Sequence, residues 1–312
     1  MTSTDTKPGS TRERSIAPGS APRRLRKAPT VYFWLLVPAL VVLIGLSAFP
    51  LIRTVQLSFT SLGGGGAEEF IGFENYARMV SDPRFADSVR VTILFIVVGI
   101  TVQLVLAWSL ALLLAQRISR WNNVLRTLFT IPMMLSPVVI GITWRALLNP
   151  QFGWVNALLG MGDTDWTGDP AKAIWVLIFV DVWHWTPFLF LLISAGLMSV
   201  PEDVKEAARI DGAGSWGMFR HIIFPLTLPV TLVAILLRAI DATKTFELPF
   251  TLTSGGPGNA TTLLAIYLYK RAFSEFDFGY ASSLAVILLI ALVLFALAYM
   301  WMSRRLERRY GA

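Results

Sequence analysis

Two clusters of polar side chains interrupt otherwise apolar stretches of this chain. Asp181, His184, Trp185 and Phe188 lie in Asp181-Val-Trp-His-Trp-Thr-Pro-Phe188, and their spacing puts them on one face of a helix. Arg238, Asp241, Lys244 and Thr245 recur at the same i, i+3, i+4 intervals. An ionisable group inside an apolar helix costs roughly 2.5–3.5 kcal/mol on insertion scales, so it normally faces a cavity or a partner. Carboxylates and an imidazole hydrogen-bond hydroxyl groups, and a Trp face stacks on the apolar face of a sugar ring. The set suits a neutral polyhydroxylated solute better than a hydrocarbon, while Arg238 and Lys244 leave an acidic or phosphorylated solute open. The competing reading is internal pairing of Arg238 with Asp241 on one helix, with the Trp rings as belt residues at the membrane border. Pro187 and Pro249 are expected to break these helices locally and free backbone groups.

Between the two clusters lies a segment built to touch something outside an apolar phase. Residues 206 to 225 read Glu-Ala-Ala-Arg-Ile-Asp-Gly-Ala-Gly-Ser-Trp-Gly-Met-Phe-Arg-His-Ile-Ile-Phe-Pro. Ser199 is expected to cap a helix that begins at Pro201 and carries Glu202 and Asp203 in its first turn, where unpaired backbone N–H groups favour negative charge. Val204, Ala207 and Ala208 give it a small apolar face. Gly212 is a natural stop, because glycine enters the left-handed region without a Cβ penalty. Ser215 is expected to cap a second short helix carrying Trp216, Phe219 and Ile222, and Pro225 and Pro229 open the next apolar run. The unit reads as helix, glycine turn, helix.

The elements that hold these clusters are membrane-length. The chain is 54% hydrophobic and 15% charged, with a positive mean hydropathy, which excludes an ordinary soluble domain. Uncharged runs at Val31–Ile52, Val91–Ala115 and Ala281–Met302 are each long enough to span about 30 Å of hydrocarbon. Leu128–Trp144 is shorter, Ala173–Met198 is interrupted by Asp181 and His184, and a last run beginning near Pro225 meets Arg238 and Asp241. The expectation is an all-α membrane protein of six transmembrane helices, residues 31–303, with a basic tail at 304–312. Residues 1–30, rich in Ser, Thr, Pro, Gly and Arg, read as a disordered tail, and the first run reads as a retained helix rather than a cleaved leader.

Orientation follows from Lys and Arg in the short loops. Lys7, Arg12, Arg14, Arg23, Arg24, Arg26 and Lys27 precede the first run; Arg117, Arg120 and Arg126 follow the second. Lys205, Arg209 and Arg220 lie in the helix-turn-helix segment, and Arg304, Arg305, Arg308 and Arg309 lie in the tail. Six spans put all four regions on one side, while Glu68, Glu69, Glu74, Asp82, Asp87, Asp163, Asp165 and Asp169 fall on the other. Both termini are therefore expected in the cytoplasm at the cell membrane. The net charge of +7 is explained by this bias and calls for no nucleic-acid partner.

Much chemistry is missing. No Gly-Lys-Ser or Gly-Lys-Thr is present, so another chain must bind ATP if ATP drives this protein. The only histidines are His184 and His221, no cluster has metal-ligand spacing, no Gly-x-Ser-x-Gly elbow occurs and there is no cysteine. Neither a cofactor nor a metal is expected, and an enzyme has no recognisable nucleophile. The glycine runs at 63–66 and 255–258 read as flexible turns on the non-cytoplasmic side.

Glu206-Ala207-Ala208, three residues, Gly212, nine residues, Ile222 and then Pro225 resembles the EAA loop of ATP-binding-cassette importer permeases, with Phe224 where Leu is usual. Ile71-Gly72-Phe73-Glu74-Asn75-Tyr76 resembles the Gly-x-x-Asn-Tyr of carbohydrate permeases. Pro132, Pro137, Trp144 and Pro150-Gln-Phe-Gly153-x-x-Asn156 resemble their third-span pattern, and Leu252-Thr253-Ser254-Gly255-Gly256-Pro257 with Thr261 and Phe273 is similar to a later one. Together these resemble the maltose and glycerol-3-phosphate importer class over most of residues 30–305. The resemblance implies a non-catalytic permease subunit whose coupling loop, about 199–225, docks on a separate ATPase through Glu206, Ala207, Ala208, Asp211, Gly212, Ile222 and Pro225. It implies a second related permease, two ATPase copies and an extracytoplasmic solute-binding protein. It also implies that sugar contacts come from the helices flanking the loop, which carry Asp181, His184, Trp185, Phe188, Arg238, Asp241 and Thr245. The alternative is a secondary transporter that uses Asp181 or Asp241 to carry a proton.

Overall fold

The computed structural model describes residues 30–63, 66–115 and 120–310; the tail at 1–29, Gly64, Gly65 and Arg117 lie outside them. The described residues form helices α1 (Thr30–Leu57), α2 (Glu74–Ser81), α3 (Pro83–Ala115), α4 (Arg120–Met134), α5 (Pro137–Leu147), α6 (Trp154–Leu159) and α7 (Pro170–Met198). Then follow α8 (Glu202–Ile210), α9 (Ser215–Met218), α10 (Phe224–Lys244), α11 (Glu247–Thr253), α12 (Leu264–Tyr269) and α13 (Phe278–Tyr310). Among the described residues, strand pairing is limited to two isolated bridges, Thr60 with Phe70 and Gly63 with Asp277. Backbone groups in hydrocarbon must be satisfied within the segment, and long helices do this without partners.

Among the described residues, five helices are long and apolar enough to cross a membrane: Leu36–Leu57, Pro83–Leu114, Pro170–Met198, Ser215–Lys244 and Phe278–Leu306. Where the sixth span is expected stands a bent pair of helices, the geometry of a broken span or of a re-entrant loop. Arg126–Met134 and Pro137–Leu147 meet at a bend of 98°. Pro137 lacks an N–H and disfavours helical geometry at Ser136, whose ψ is 135°, so the helix restarts there. The chain divides into residues 1–51 and 52–312, and the second unit carries every feature described below.

Several local expectations change. The Ser199 hydroxyl bonds back to the Gly196 carbonyl at 2.7 Å and closes α7, while Pro201 precedes α8 with no side-chain cap. Ser215 is the first residue of α9 rather than its cap, because Gly214 takes the extended capping position. The second short helix does not end: a π-helical turn, Phe219–Ile223, carries it into α10, so Ser215–Lys244 is continuous. The Phe224 N–H reaches the Phe219 carbonyl, and the wider turn accommodates Pro225, which has no N–H to donate. Pro187 sits inside an unbroken α7. The later break falls at Thr245–Phe246, ahead of Pro249, which occupies the first turn of α11 where its missing N–H would be unpaired anyway. Helix α13 runs through Tyr310, so Arg304 and Arg305 extend a helix rather than begin a separate tail.

The core is centred on α7, which packs against α3, α4 and α10. Leu177, Val180, Leu189, Phe190 and Ile193 are fully buried along its length. One cluster joins Phe95, Ile140, Leu177, Leu248 and Leu263; another joins Ala107, Leu189, Phe190, Ile193 and Ala234. Helix α5 crosses α11 closely at Gly141, where a Cβ would strike the Thr251 hydroxyl and meet the Leu248 carbonyl at 3.1 Å.

The short sequence patterns outside the spans turn out to be fastenings. Gly72 takes a positive φ of 61°, and Asn75 donates to the carbonyls of Ser58 at 3.0 Å and Thr60 at 2.9 Å. Tyr76 reaches the Ser58 hydroxyl at 2.8 Å. Gly279 completes this contact, because a Cβ there would collide with the Thr60 carbonyl oxygen. Asn156 accepts from the Trp166 indole at 2.6 Å and donates to the Thr164 carbonyl at 2.8 Å. The glycine turn at 255–258 is fixed by Thr261 and Thr262, whose hydroxyls donate to the carbonyls of Gly256 and Gly255, each at 2.7 Å.

Asp82 ties three elements together. It accepts from Tyr267, from Tyr280 at 2.8 Å and from Arg271 at 3.0 Å. Burial pushes its carboxyl up, but the two phenols, the Arg84 backbone N–H and the Arg271 charge outweigh it and hold the pKa at about 2. A carboxyl lowered on folding from 3.8 stabilises the protein fully above 3.8, and that stability is lost as the pH falls toward 2.

Two measurements check these fastenings. Asn75→Ala leaves two inward carbonyls unpaired and should cost about 1–3 kcal/mol of stability, read as a lowered thermal midpoint in detergent. Asp82→Asn should flatten the acid limb of a stability–pH curve between pH 4 and about 2.

Candidate functional site

The two polar clusters meet, and Gln103 joins them. The chain reversal through α8 and α9 lays α7 beside α10, and α3 packs against both. Arg238, Asp181 and Gln103 each expose 1% or less of their surface. Arg238 Nη2 donates to Asp181 Oδ2, Nε donates to Gln103 Oε1 at 3.1 Å, and Nη1 donates to Asp241 Oδ2 at 3.3 Å. Gln103 Nε2 closes the ring onto Asp181 Oδ2 at 2.9 Å. The Trp185 ring lies 5.1 Å from the guanidinium carbon, at cation–π distance. A single arginine thus engages all three of its nitrogens, and each accepting group comes from the chain itself.

The expected residues therefore separate. Asp181 and His184 lie within the protein interior. Phe188 packs against the cluster around Leu189 and Phe190, with its ring 5.9 Å from Trp185. Asp241 is one-third exposed, since it stands at the end of the network where the interior opens. Trp185, Asp241 and Thr245 line a cavity of about 420 Å³. Lys244 and Glu247 add charge to that wall, and Ser136, Pro137 and Leu248 complete it. The pairing of Arg238 with Asp241 and the opening of Asp241 onto a cavity both hold in this geometry.

Both helix breaks border the cavity. Ser136 and Pro137 mark the bend between α4 and α5, and Thr245 with Glu247 brackets the break between α10 and α11. Interrupted helices at cavity depth expose backbone groups where water or a solute can satisfy them. Sequence reading missed Gln103, Ser136 and Glu247. Gln103 was legible only as one polar residue in a long apolar run, and its role comes from a contact 135 positions away. A helical wheel assigns none of them to one site, because they come from two different helices and the break between α4 and α5.

The residues expected to form a coupling loop gather elsewhere. In α8, Ala208 alone is buried; Glu206, Ala207 and Asp211 are exposed. Glu202 is paired with Lys205 at 3.0 Å and with Arg209 at 3.3 Å, and the Lys205 partnership leads in holding its carboxyl below the usual range. Gly212 has a φ of 80°, which reverses the chain after α8. Ile210 and Trp216 are 87% and 68% exposed on either side of that turn, so large apolar side chains flank the exposed acids. Ile222 and Pro225 are half-buried where the loop passes into α10. The described residues contain no group of three or more metal-ligating side chains.

Arg238→Met would strand the Asp181 carboxylate in the interior. The expected loss is about 3–5 kcal/mol, seen as a lowered midpoint in detergent, and most of it should return in the Asp181→Leu, Arg238→Met double variant. An unchanged midpoint in the single variant would remove this pair as the organiser of the site.

Residues 103–311 match the model of the family described as binding-protein-dependent transport system inner membrane component. The chain is 33% identical over 285 residues to the trehalose/maltose transport system permease protein MalF of Thermococcus litoralis, covering 90% of this chain and 96% of that protein. It is 36% identical over 260 residues to the sulfoquinovosyl glycerol transport system permease protein SmoG of Agrobacterium fabrum, covering 81% and 84%. Among solved structures, a bacterial ABC transporter involved in import of the acidic polysaccharide alginate superposes with a TM-score of 0.77 at 20% identity, over 88% of this chain and 95% of that one. A bacterial alginate ABC transporter in complex with an alginate pentasaccharide-bound periplasmic protein gives a TM-score of 0.76 at 20% identity, over 88% of this chain and 94% of that one. By its helices, by the exposed loop between its two polar spans and by likeness along nine-tenths of its length, the chain belongs to the binding-protein-dependent transport inner-membrane component family.

Proposed function

We propose that this chain is half of the membrane pathway of an ATP-driven importer for a carbohydrate, a sugar, oligosaccharide, polyol or glycerol phosphate. A second related permease completes the pathway, two copies of an ATP-binding-cassette subunit hydrolyse ATP, and a solute-binding protein delivers the sugar from outside. The observation that carries this reading is the exposed α8, held out by the Gly212 turn between the two helices that form the cavity wall. Nucleotide-driven movement of an ATPase against Glu206 and its neighbours would be passed directly to α7 and α10. The permease pair is the bistable element, and nucleotide binding biases it. The likeness to a trehalose/maltose permease supports the carbohydrate class.

The orientation follows from charge: the loop carrying Lys205, Arg209 and Arg220 and both chain ends face the cytoplasm, and the cavity opens toward the pathway. Trp185, Asp241 and Thr245 meet the solute, while Asp181, His184 and Phe188 support that wall from behind. The proton-coupled alternative has no support among the relatives. Arg238 already engages both carboxylates it would use.

Transport tests the coupling role. Gly212→Pro cannot adopt the required positive φ, and Glu206→Lys reverses the charge offered to the ATPase. Each variant should insert normally and lose uptake of labelled solute in a strain lacking the wild-type gene. Normal uptake in either well-expressed variant would overturn the coupling role, and collapse of wild-type uptake by an uncoupler at constant ATP would overturn the ATP-driven reading.

A further inference from the structure

The cavity wall has a definite charge account. The cations at the site are Arg238 and Lys244, and the carboxylates are Asp181, Asp241 and Glu247. Each nitrogen of Arg238 is spent on the chain: Nη2 on Asp181, Nε on Gln103 and Nη1 on Asp241. Trp185 lies against its guanidinium group. Lys244 Nζ stands 3.7 Å from the other oxygen of Asp241. Asp241 is thus shared between two cations, and Asp181 is matched by Arg238.

Glu247 is left over. It opens α11 at the cavity wall, it is exposed, and among the described residues its side chain has no ion pair or hydrogen bond. Two cations against three carboxylates leave one negative charge, and Glu247 is the carboxylate on the wall with no cation beside it. A carboxylate, phosphate or sulfonate on the solute would find Arg238 fully engaged and would meet a wall on which one ammonium, Lys244, stands against two carboxylates, Asp241 and Glu247, across a confined space where charges interact more strongly than in bulk water. A neutral sugar meets a different surface: the Trp185 ring for an apolar ring face, and Asp241, Glu247, Thr245 and Ser136 as acceptors for hydroxyl protons.

We infer that this cavity selects neutral, hydroxyl-rich sugars and excludes anionic ones, and that Glu247 is the specificity-determining residue. The inference rests on the carbohydrate reading above and narrows it. A transporter of similar fold is described as importing an acidic polysaccharide, so the fold itself does not impose this choice; the charge set of this chain does.

The test uses the assembled transporter, purified from its own membranes with its partner subunits, placed in nanodiscs without the binding protein. Saturation-transfer NMR titrations compare trehalose with trehalose 6-phosphate, a neutral and an anionic form of one disaccharide. The neutral sugar should bind at least about tenfold more tightly. Glu247→Gln should narrow that ratio severalfold by improving binding of the phosphate, while Asp163→Asn, which removes an equal charge in an exposed loop, should leave it unchanged. Trp185→Ala should weaken the neutral sugar. Equal or tighter binding of the phosphate by the wild type, or a ratio that Glu247→Gln does not move, would overturn the inference. Uptake in the deletion strain separates the two levels. If neither disaccharide binds while gene-dependent sugar uptake persists, the inference fails and the carbohydrate function stands. If no sugar uptake depends on the gene, both fail.

Discussion

A guanidinium placed among membrane-spanning helices must be neutralised where it stands, and the arrangement of this protein follows from how Arg238 is neutralised. An unpaired charge in that setting costs several kcal/mol, and removing one partner of a buried pair is more damaging than replacing both. Arg238 on α10 draws Asp181 from α7 and Gln103 from α3 into one network, so three spans take a common register. Apolar packing alone leaves the rotation of a helix loosely specified in lipid, because hydrocarbon solvates its other faces equally well. A polar network with directional donors does not. Two apolar clusters, one around Leu177 and the other around Phe190 and Ile193, then fill the space that this register defines.

The same network places the cavity. One edge of Arg238 is sealed in the interior, and the other reaches Asp241, which is one-third exposed. Charge is thus handed from a dry interior to an open wall through a single side chain. The wall itself is made from two interrupted helices, one broken at Ser136 and the other at Thr245–Phe246. Close crossing at Gly141 keeps α5 against α11 on that side. At the other end of α7 and α10, Gly212 and the π-helical turn turn the chain around and leave α8 exposed. The cavity wall and the exposed α8 therefore share the same two helices, and in the proposed importer force would pass between them through α7 and α10.

The resemblance patterns divide physically into two kinds. Asn75, Asn156, Gly153 and Thr261 fasten loops and helix ends, and their partners are backbone carbonyls or other loop groups. The exposed residues of the helix-turn-helix segment, by contrast, make few contacts within the chain. Patterns of the first kind report the fold, while the second leaves its side chains exposed.

Composition and periodicity were sufficient for the all-helical membrane class, because a long uncharged run has few other stable fates. They also located both polar clusters and the glycine turn, since charges inside apolar runs and a glycine after a helical pattern are local signals. Local signals misplaced the breaks: Pro187 lies in an unbroken helix and Pro249 sits past its break, because a first-turn proline costs nothing and neighbouring helices compensate a buried one. Which polar residues face each other is a different kind of fact. Gln103 and Arg238 lie 135 positions apart, and Asp181 became a buried counter-ion, not a wall residue, only when α3 closed over it. The sequence by itself determined which residues had to find partners, through the cost of leaving charge in hydrocarbon. The tertiary structure alone decided which partners they found, because that depends on helix rotation and on contacts with no trace in local spacing.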